Sequence, residues 1–545
     1  MEFIQSHYLS ILVAIPLVLA ALTIFVPSSG EESKCLHKFG IFGSAILFLY
    51  SALAWNGVIT PAVPDFAEKM AWIPNLGITY SLAMDGLSKT LVFLTTFLLL
   101  MASIASYTSI HKRLRLYYGM LFTLTAAVLG VFLARDMFLF FLFWELELIP
   151  MYLLIAIWGG PRRDYASIKF VLYTLFGSVF LVAGTLALYF HARSLPGLDH
   201  ATLFHFETIK AAIGQNLPIA SQVLIFTALF ITFAVKLPVV PVHTWLPDAH
   251  VEAPTPISML LAGILLKMGS YGMLRFGFEF LPDAAKVLAP YIGLLAVINI
   301  VYTAGVALVQ TDLKKLIAYS SVSHMGFVLL GLSALNAFGF NGAVFVMFAH
   351  GLVSAALFMC VGTLYNRTHT RAIADYGGFG SQTPIIFYFF LFMSMASLGL
   401  PLLVSFASET MVFYGAFTSH AFHQISIFGA TLPWSIQAIT FVSGLGVVIG
   451  AAYLLWMMKR VFFGPIQERW TNLPDASMSE VCVLLVLTLL VMAFGFVPSL
   501  ITKHFEPTVT AIAKQYEGYE GPSTAAAKHK ATHAPVLTAF STGAK

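Results

Sequence analysis

Six ionisable side chains lie deep inside long apolar stretches of this sequence, and their types are those of a proton relay. They are two glutamates, two lysines and two histidines: Glu145, Lys236, Lys267, His324, His350 and Glu409. A charged side chain at the centre of a bilayer costs about 2.5–3.5 kcal/mol on insertion scales. Such residues therefore serve either proton transfer or a structural partnership.

Two carboxylates stand close together in the stretch FLFWELELIPMYLL. Glu145 and Glu147 are two residues apart in the sequence. On an α-helix that spacing places two side chains on roughly opposite sides. At most one of them can face a common polar track. We favour Glu145 and leave Glu147 open, with a structural partner as the alternative for both.

The two lysines differ in their surroundings. Lys267 has apolar residues on both sides in SMLLAGILLKMGSYGMLRF, whereas Lys236 directly precedes the segment that holds Pro238 and Pro241. Desolvation makes a buried ammonium easier to deprotonate, which suits a proton carrier. A structural ion pair is the alternative for each lysine.

The histidines occur in consecutive apolar stretches. His324 is accompanied by three serines in YSSVSHMGFVLLG, and His350 lies in VFVMFAHGLVSAALF. Imidazole accepts and donates a proton near neutral pH, and serine hydroxyls hold water between ionisable groups. A hydrogen-bonded core histidine is the alternative for each.

Two of the apolar stretches are interrupted. Proline removes a helical hydrogen bond, and unpaired backbone groups at membrane depth persist only where protein or water satisfies them. Pro238 and Pro241 break one stretch, and Gly399 and Pro401 break another, ahead of Glu409. Paired broken helices point to an ion pathway between inverted repeats, although each alone could be an ordinary kink.

The composition defines the elements that must position these groups. The chain of 545 residues is 59% hydrophobic and 10% charged. Its mean hydropathy is +0.86. Because soluble domains carry far more charge, this is an integral membrane protein. At about 20 residues per span, we predict fourteen transmembrane helices. They cover residues 7–27, 37–58, 86–107, 114–134, 137–158, 169–192, 221–242, 255–277, 287–309, 313–335, 338–364, 383–416, 436–462 and 478–502.

The same composition excludes several functions. The 3 cysteines are far apart, and no phosphate-binding or dinucleotide-binding motif occurs. We therefore expect no metal, nucleotide or redox cofactor in this chain. The net charge of +4 is too small to imply a nucleic-acid partner. The first apolar stretch lacks the features of a cleaved signal peptide and is expected to remain as a helix.

Basic residues indicate the orientation of the spans. Clusters such as Lys112–Arg113, Arg162–Arg163 and Lys314–Lys315 all fall in odd-numbered loops. The positive-inside pattern places these loops in the cytoplasm and both termini on the non-cytoplasmic side. We read Lys89, Lys169 and Arg275, near span ends, as snorkelling anchors.

We divide the predicted all-α polytopic protein into four parts. Residues 1–110 hold helices 1–3, including an extended or hairpin segment at 59–85 on the outer face. Residues 111–280 and 281–465 are two inverted five-helix repeats, in which helices 7 and 12 are broken. Residues 466–545 hold the last helix and a polar tail, expected to be poorly packed from His504.

The sequence resembles a known family between about residues 60 and 465. The resemblance is specific, because several long motifs occur in the same order. They are WELELIPMYLLIAIWGG, AVKLPVVPVHTWLPDAHVEAPTPISMLLAGILLKMGSYG, QTDLKKLIAYSSVSHMGFVLLG and FAHGLVSAALF. The chain resembles the antiporter-like, proton-pumping subunit M, or chain 4, of complex I. The resemblance implies that other subunits carry the electrons while this one moves protons.

By motif, the resemblance assigns roles to individual residues. Glu145 and Lys236 correspond to the family's Glu–Lys pair, and Lys267 to its central lysine. His324 and His350 correspond to the relay histidines, and Glu409 to the exit glutamate.

The sequence departs from the family at the second break. Leu402 and Ser405 stand where the family has glycines, which alters the expected geometry near Pro401. WELELIP also resembles the photosynthetic, plastoquinone-linked branch, including forms tied to carbon dioxide uptake.

The resemblance also implies the assembly. NAD(P)H or ferredoxin, iron–sulfur clusters and quinone are expected in partner subunits, alongside neighbouring antiporter-like subunits and membrane lipids. The location would be a bacterial inner (plasma) membrane or a thylakoid membrane. Two other functions remain open: a subunit of a multisubunit Na⁺/H⁺ antiporter, and a structural membrane subunit that transports nothing.

Overall fold

The computed structural model describes residues 6–27, 33–57, 67–215, 217–427 and 430–521. Long apolar segments become helices here because only a helix satisfies its own backbone hydrogen bonds in lipid. The bounds in the first half are α1 Tyr8–Leu22, α2 Ser33–Trp55, α3 Gly86–Ser109, α4 Leu114–Leu133, α5 Met137–Leu146, α6 Leu148–Trp158, α7 Arg163–Ser194, α8 Phe206–Ile213, α9 Ile219–Lys236, α10 Trp245–Glu252 and α11 Thr255–Glu279.

The second half continues the bundle. Its helices are α12 Pro282–Leu308, α13 Leu313–Ser333, α14 Ala337–Thr368, α15 Pro384–Ser397, α16 Val404–Phe417, α17 Ile436–Phe462, α18 Met478–Phe496 and α19 Ser499–Ala513. α11 and α14 are enclosed by other helices along their apolar segments. These two central helices carry Lys267 and His350, respectively, so both side chains lie in the middle of the protein.

The predicted polytopic helical fold is confirmed. Within the described residues, twelve of the predicted spans are apolar helices long enough to cross a membrane. The first span is the shorter helix α1, and the twelfth divides into α15 and α16. All fourteen predicted segments therefore correspond to helical structure.

Both predicted breaks are present. The seventh span ends at Lys236 and resumes as α10, so its second half covers residues that we had assigned to a loop. The twelfth span stops at Ser397 and resumes at Val404. Each break leaves a non-helical segment: Leu237 and Val239 in the first are buried, whereas Leu400 and Leu402 in the second are exposed on the surface of the chain.

A β-hairpin covers the predicted extended segment. Strand β1 (Glu68–Ile73) pairs antiparallel with β2 (Ile78–Leu82), with Gly77 at φ 72° in the turn between them. Glycine adopts this left-handed backbone without the penalty of a Cβ. A second small hairpin joins β3 (Ile425–Ile427) to β4 (Ala430–Leu432). Residues 59–66 of the predicted segment lie outside the described residues.

The C-terminal segment differs from our expectation. Instead of a poorly packed tail from His504, α19 buries Ile501, Phe505, Val509 and Ile512 on one face against α3 and α14. Their spacing of three to four residues is that of an amphipathic helix, a pattern that the polar composition obscured. Residues 522–545 lie outside the described part of the chain.

Candidate functional site: a buried polar track

The first element of the track is an ion pair between α9 and the break between α5 and α6. The ammonium of Lys236 contacts Oε1 of Glu147, and both side chains are almost fully buried. Nζ of Lys236 lies 5.4 Å from the ring centre of Trp144 and 5.3 Å from that of Phe170. These distances allow cation–π contacts with both rings. The pair is therefore shielded from solvent on several sides.

This pairing corrects the expected Glu145–Lys236 contact. Phe140, Trp144 and Glu147 follow one another at intervals of four and three residues, which places them on one helix face. Phe140 and Trp144 both pack on Phe233 of α9, and that contact turns Glu147 toward Lys236. This spacing was the signal in the sequence that could have identified Glu147, rather than Glu145, as the partner of Lys236.

Glu145 points away from this face. It shares a helix stripe with Leu142, Ile149 and Tyr152, three side chains that are exposed on the surface of the chain. Its Oε1 is buried and has no hydrogen-bond partner among the described residues. The structure therefore brings only one of the two carboxylates to the lysine.

Protein side chains satisfy the backbone at the first break. The indole Nε1 of Trp245 donates to the carbonyl of Val235 at 2.8 Å. The amide of Asn299 accepts from the Val240 N–H at 2.7 Å and donates to the carbonyl of Pro238 at 3.1 Å. These contacts hold the interrupted segment in place beside Lys236.

Sequence reasoning missed Asn299. Asn299 is fully buried in α12. Its partner Val240 belongs to the first break and lies 59 positions earlier in the sequence. The available signal was a polar amide within the apolar run VINIVY, which needs a buried partner. Nothing in the local sequence identified that partner.

The second element of the track joins α11 to α14. Nζ of Lys267 lies 2.7 Å from Nδ1 of His350 and 2.5 Å from the carbonyl oxygen of Ala262. Lys267 is fully buried, and no carboxylate contacts it among the residues that the structure describes. A neutral imidazole nitrogen can accept the ammonium proton directly in this geometry.

The third element joins α13 to α16. Nδ1 of His324 lies 3.2 Å from Oε1 of Glu409, and its Nε2 lies 3.2 Å from the hydroxyl of Ser397. The His324 and His350 rings have centroids 5.8 Å apart. Lys267, His350, His324 and Glu409 therefore form a continuous series of close ionisable groups.

A small polar cavity accompanies this series. It measures about 10 Å³, and its lining includes both histidines and Glu409. A cavity of that size holds about one water molecule. Six serines complete the polar part of the wall: Ser320, Ser321, Ser354, Ser397, Ser405 and Ser408. Of the three serines that accompany His324 in the sequence, Ser320 and Ser321 line this cavity, whereas Ser323 donates to the carbonyl of Ile300 at 2.8 Å.

The Lys236 pair and Lys267 lie on helices that pack closely. A Cβ placed on Gly269, two residues beyond Lys267, would stand 3.1 Å from Cβ of Lys236. Glycine permits this approach between α9 and α11 because it has no side chain. The structure thus places the two lysines on adjoining backbones without a direct hydrogen bond between them.

The second break contains Leu402, one of the two residues that replace the glycines expected from the family resemblance. Gly399 and Leu402 have φ values of 81° and 73°. The left-handed conformation costs a non-glycine residue about 1–2 kcal/mol, so Leu402 holds a strained position that glycine would occupy freely. Gly399 faces Glu409, whose Oε2 would lie 3.2 Å from a Cβ at that position.

A second charge cluster lies at the C-terminal end of α11. Asp85, at the start of α3, contacts both Arg275 and Arg135, and Arg275 also pairs with Glu279 at 2.8 Å. Burial would raise the pKa of Asp85, but the charges of Arg275 and Arg135 outweigh burial and hold this pKa well below its usual range. This cluster was not predicted.

Two predicted snorkelling residues are instead ion-paired. Arg275 is only 2% exposed and is held by carboxylates from two helices. Lys169 contacts Asp248 at 2.7 Å rather than extending freely to a membrane surface. Asp85 and Asp248 are distant from their partners in the sequence, so the sequence alone did not reveal these two contacts, whereas Glu279 lies only four residues after Arg275.

The fold and the track define a class: an integral membrane protein with two broken helices and a buried series of ionisable groups. The sequence profile of the family described as "NADH:quinone oxidoreductase/Mrp antiporter, TM" matches residues 134–432. The chain belongs to this family.

Relatives and solved structures agree with that assignment. The chain is 40% identical over 519 residues to NAD(P)H-quinone oxidoreductase chain 4 1 of a Synechococcus strain, covering 94% of this chain and 93% of the relative. It resembles a chain of respiratory complex I from Thermus thermophilus, with TM-score 0.80 and 27% identity over 94% of this chain and 100% of the other. A chain of the Mrp complex from Dietzia shares the fold, with a TM-score of 0.75 and 23% identity. The match covers 94% of this chain and 53% of the Dietzia chain.

Proposed function

We propose that this chain is a proton-translocating membrane subunit of a complex I-type NAD(P)H- or ferredoxin-driven quinone oxidoreductase. The observation that carries the proposal is the series Lys267, His350, His324 and Glu409, in which successive groups are close enough to exchange protons directly or through one water. The 40% identity to a chain of an NAD(P)H-quinone oxidoreductase supports the type of assembly.

In the proposed mechanism, the Lys236–Glu147 contact acts as a switch. While the contact is closed, the carboxylate stabilises the ammonium of Lys236. When the contact opens, Lys236 loses its counter-charge and releases its proton toward Lys267 on the adjoining helix. Lys267 then passes a proton to His350, whose Nδ1 lies 2.7 Å away.

The remaining steps move the proton across the second half of the bundle. His350 exchanges with His324 through the small serine-lined cavity, and His324 delivers the proton to Glu409 at 3.2 Å. Glu409 is the exit group, beside the segment broken at Pro401. Each transfer leaves the donor ready to accept the next proton.

Glu145 has a different role in this proposal. A carboxylate on an exposed apolar stripe cannot face lipid without a large cost, so a neighbouring subunit covers it. We assign Glu145 to the proton path at that subunit contact, where charge changes in the neighbour reach Glu147 and Lys236. The proposed partners are the other membrane subunits of the assembly, including antiporter-like ones, with membrane lipids around them.

The proposed assembly supplies the redox chemistry. NAD(P)H or ferredoxin, iron–sulfur clusters and quinone belong to partner subunits, and this chain contributes proton movement alone. We also propose that both termini lie on the non-cytoplasmic side of a bacterial inner membrane or a thylakoid membrane, an orientation that the distribution of basic loops supports. The four-part division at residues 1–110, 111–280, 281–465 and 466–545 belongs to the same proposal.

Purification of the intact complex tests this function. We expect iron–sulfur and quinone-reactive subunits to co-purify, and Lys267→Ala to lower the number of protons moved per quinone reduced in reconstituted vesicles. Absence of redox subunits together with Na⁺-dependent proton exchange would instead identify a Na⁺/H⁺ antiporter subunit. An assembled Lys267→Ala complex with an unchanged proton ratio would show a purely structural subunit.

A further inference from the structure

We propose that a charged cavity beside the β1–β2 hairpin binds an oxyanion of the phosphate class. The inference goes beyond the proposed function, because it concerns no residue of the proton relay. The cavity has a volume of about 570 Å³. That volume far exceeds the roughly 30 Å³ that one water molecule occupies, so the cavity has room for an anion together with water.

Five structural elements form the wall of this cavity. They are the β1–β2 hairpin, the turn between α4 and α5, helix α8, the C-terminal end of α11 and helix α19. The first four lie in or beside even-numbered loops, which face the non-cytoplasmic side in the proposed orientation. Because α11 is enclosed by other helices along its apolar segment, the cavity lies over the middle of the bundle.

The wall carries more positive than negative charge. Its four cationic side chains are Lys69, Arg135, Lys210 and Arg275. Its three carboxylates are Asp85, Glu207 and Glu279. His205 also lines the cavity, but burial lowers its pKa to about 4, so this imidazole is neutral near pH 7. One positive charge is therefore left without a counter-charge in the wall, and a bound anion supplies it.

The two buried carboxylates are each shared between two cations. Asp85 accepts from both Arg135 and Arg275, and Glu279 accepts from both Arg275 and Lys210. Their negative charge is therefore largely compensated by the cations that they contact. The third carboxylate of the wall has 75% of its side chain exposed, so water and salt screen its repulsion of an anion.

Several hydrogen-bond donors of the wall remain unused. The Nε–H of Arg275 is buried and has no acceptor among the described residues. A buried donor without an acceptor is costly, because it has lost its hydrogen bond to water. Lys69 lies on the exposed strand β1 and has no acidic partner in the described part of the chain. Cationic groups in the interior and at the rim of the cavity thus both lack an acceptor.

The type and number of these donors favour an anion with several oxygens. Arg135 donates from Nη2 to Asp85, and its other N–H groups have no acceptor within the described ranges. A guanidinium presents its N–H groups in a fixed plane and binds two oxygens of one phosphate, whereas lysine acts as a point charge. The hydroxyl of Thr508 and the amide of Gln515, both in the wall, are further donors. A phosphate has enough acceptor oxygens to engage these groups from different sides at once.

Binding of radiolabelled inorganic phosphate to the purified complex, in phospholipid-free detergent, tests the proposal. Equilibrium dialysis at constant ionic strength, balanced with chloride, measures the affinity. Arg275→Lys keeps the positive charge but removes the guanidinium, so we expect binding about tenfold weaker or more. Lys69→Gln removes an exposed charge and should weaken binding about two- to fivefold. Phosphate bound by other subunits is a constant background in both variants.

Lys503→Gln is the matched control for Lys69→Gln. Lys503 is also an exposed lysine without an acidic partner among the described residues, but it does not line the cavity. Its variant should bind phosphate as the unsubstituted complex does. Unchanged affinity in both Lys69→Gln and Arg275→Lys would overturn the proposal, and so would equal losses in Lys69→Gln and Lys503→Gln. If Arg275→Lys does not assemble, the comparison of the two lysine variants decides.

A second arm identifies the source of the phosphate group. Phosphatidylglycerol added to the detergent displaces the labelled phosphate only if a lipid headgroup reaches the same cavity. Displacement therefore supports a lipid headgroup as the occupant, and retention of the label supports a soluble phosphate. The proposed function is tested separately by Lys267→Ala, so the failure of either proposal leaves the other standing.

Discussion

Lys236 contacts Glu147, which lies 89 positions earlier in the sequence. It does not contact Glu145, which lies two residues before Glu147. The two glutamates occupy opposite sides of the same helical segment. One carboxylate is enclosed with the lysine, and the other lies on a stripe of exposed apolar side chains. Two residues of identical chemistry therefore have different surroundings.

The first prediction compares these two carboxylates. In Glu147→Gln the buried ammonium of Lys236 loses its counter-charge, so we expect proton translocation by assembled complexes to fall about tenfold or more. Removing one member of a buried pair also costs about 3–5 kcal/mol, so less complex should assemble. Proton uptake by vesicles and the yield of complex on native gels measure the two effects.

Glu145→Gln is the second variant in that comparison. It leaves the Lys236–Glu147 contact intact, so we expect a smaller loss of proton translocation than in Glu147→Gln. Any loss of assembly should be confined to the contact with the neighbouring subunit that covers Glu145. If Glu145→Gln abolished translocation while Glu147→Gln retained it, the pairing with Glu147 would not be the functional one.

The second prediction concerns the strained residue at the second break. Leu402→Gly removes the Cβ from a left-handed position, which relieves about 1–2 kcal/mol and is partly offset by the greater flexibility of glycine in the unfolded chain. We expect a small rise in the thermal unfolding midpoint of the purified complex. Leu400→Gly, two residues earlier and without a positive φ, should lower the midpoint, and equal effects would contradict the argument.

The third prediction concerns the charge cluster at the start of α3. Asp85→Asn leaves Arg275 buried with Glu279 as its remaining acidic contact, so we expect a loss of about 3 kcal/mol in stability. Glu207→Gln removes a pair between Glu207 and Lys210 in which Glu207 is largely exposed. The loss of such an exposed pair should cost less than about 1 kcal/mol. Thermal or denaturant unfolding in detergent compares the two variants, and equal costs would show that the buried cluster contributes little.

The fourth prediction is a pH dependence at His205. Burial, reinforced by the nearby charge of Lys69, lowers the pKa of His205 to about 4. Because the unfolded chain binds the proton more readily, this residue's contribution to stability is complete above about pH 6.5 and is lost as the pH falls toward 4. The unfolding midpoint should therefore fall less between pH 7.5 and pH 5 in His205→Gln than in the unsubstituted protein. Parallel pH profiles would contradict the shift.

Much of the architecture follows from local sequence. The twelve long helices, the two breaks and the six candidate residues are all visible in single segments, because apolar length and proline placement act locally. The contacts that define the track are not local. His324 meets Glu409 on another helix, and Asn299 supports a break 59 positions earlier, so only packing reveals them.

The sequence by itself determined that the chain crosses a membrane many times and that it keeps costly charges inside. The physical reason is that hydrophobic length and buried charge are properties of each segment alone. Only the tertiary structure decided which glutamate meets Lys236, that Arg275 is ion-paired rather than snorkelling, and that α19 packs against the bundle. Those outcomes depend on which helix faces come together, because a side chain acquires its partner only when two faces pack.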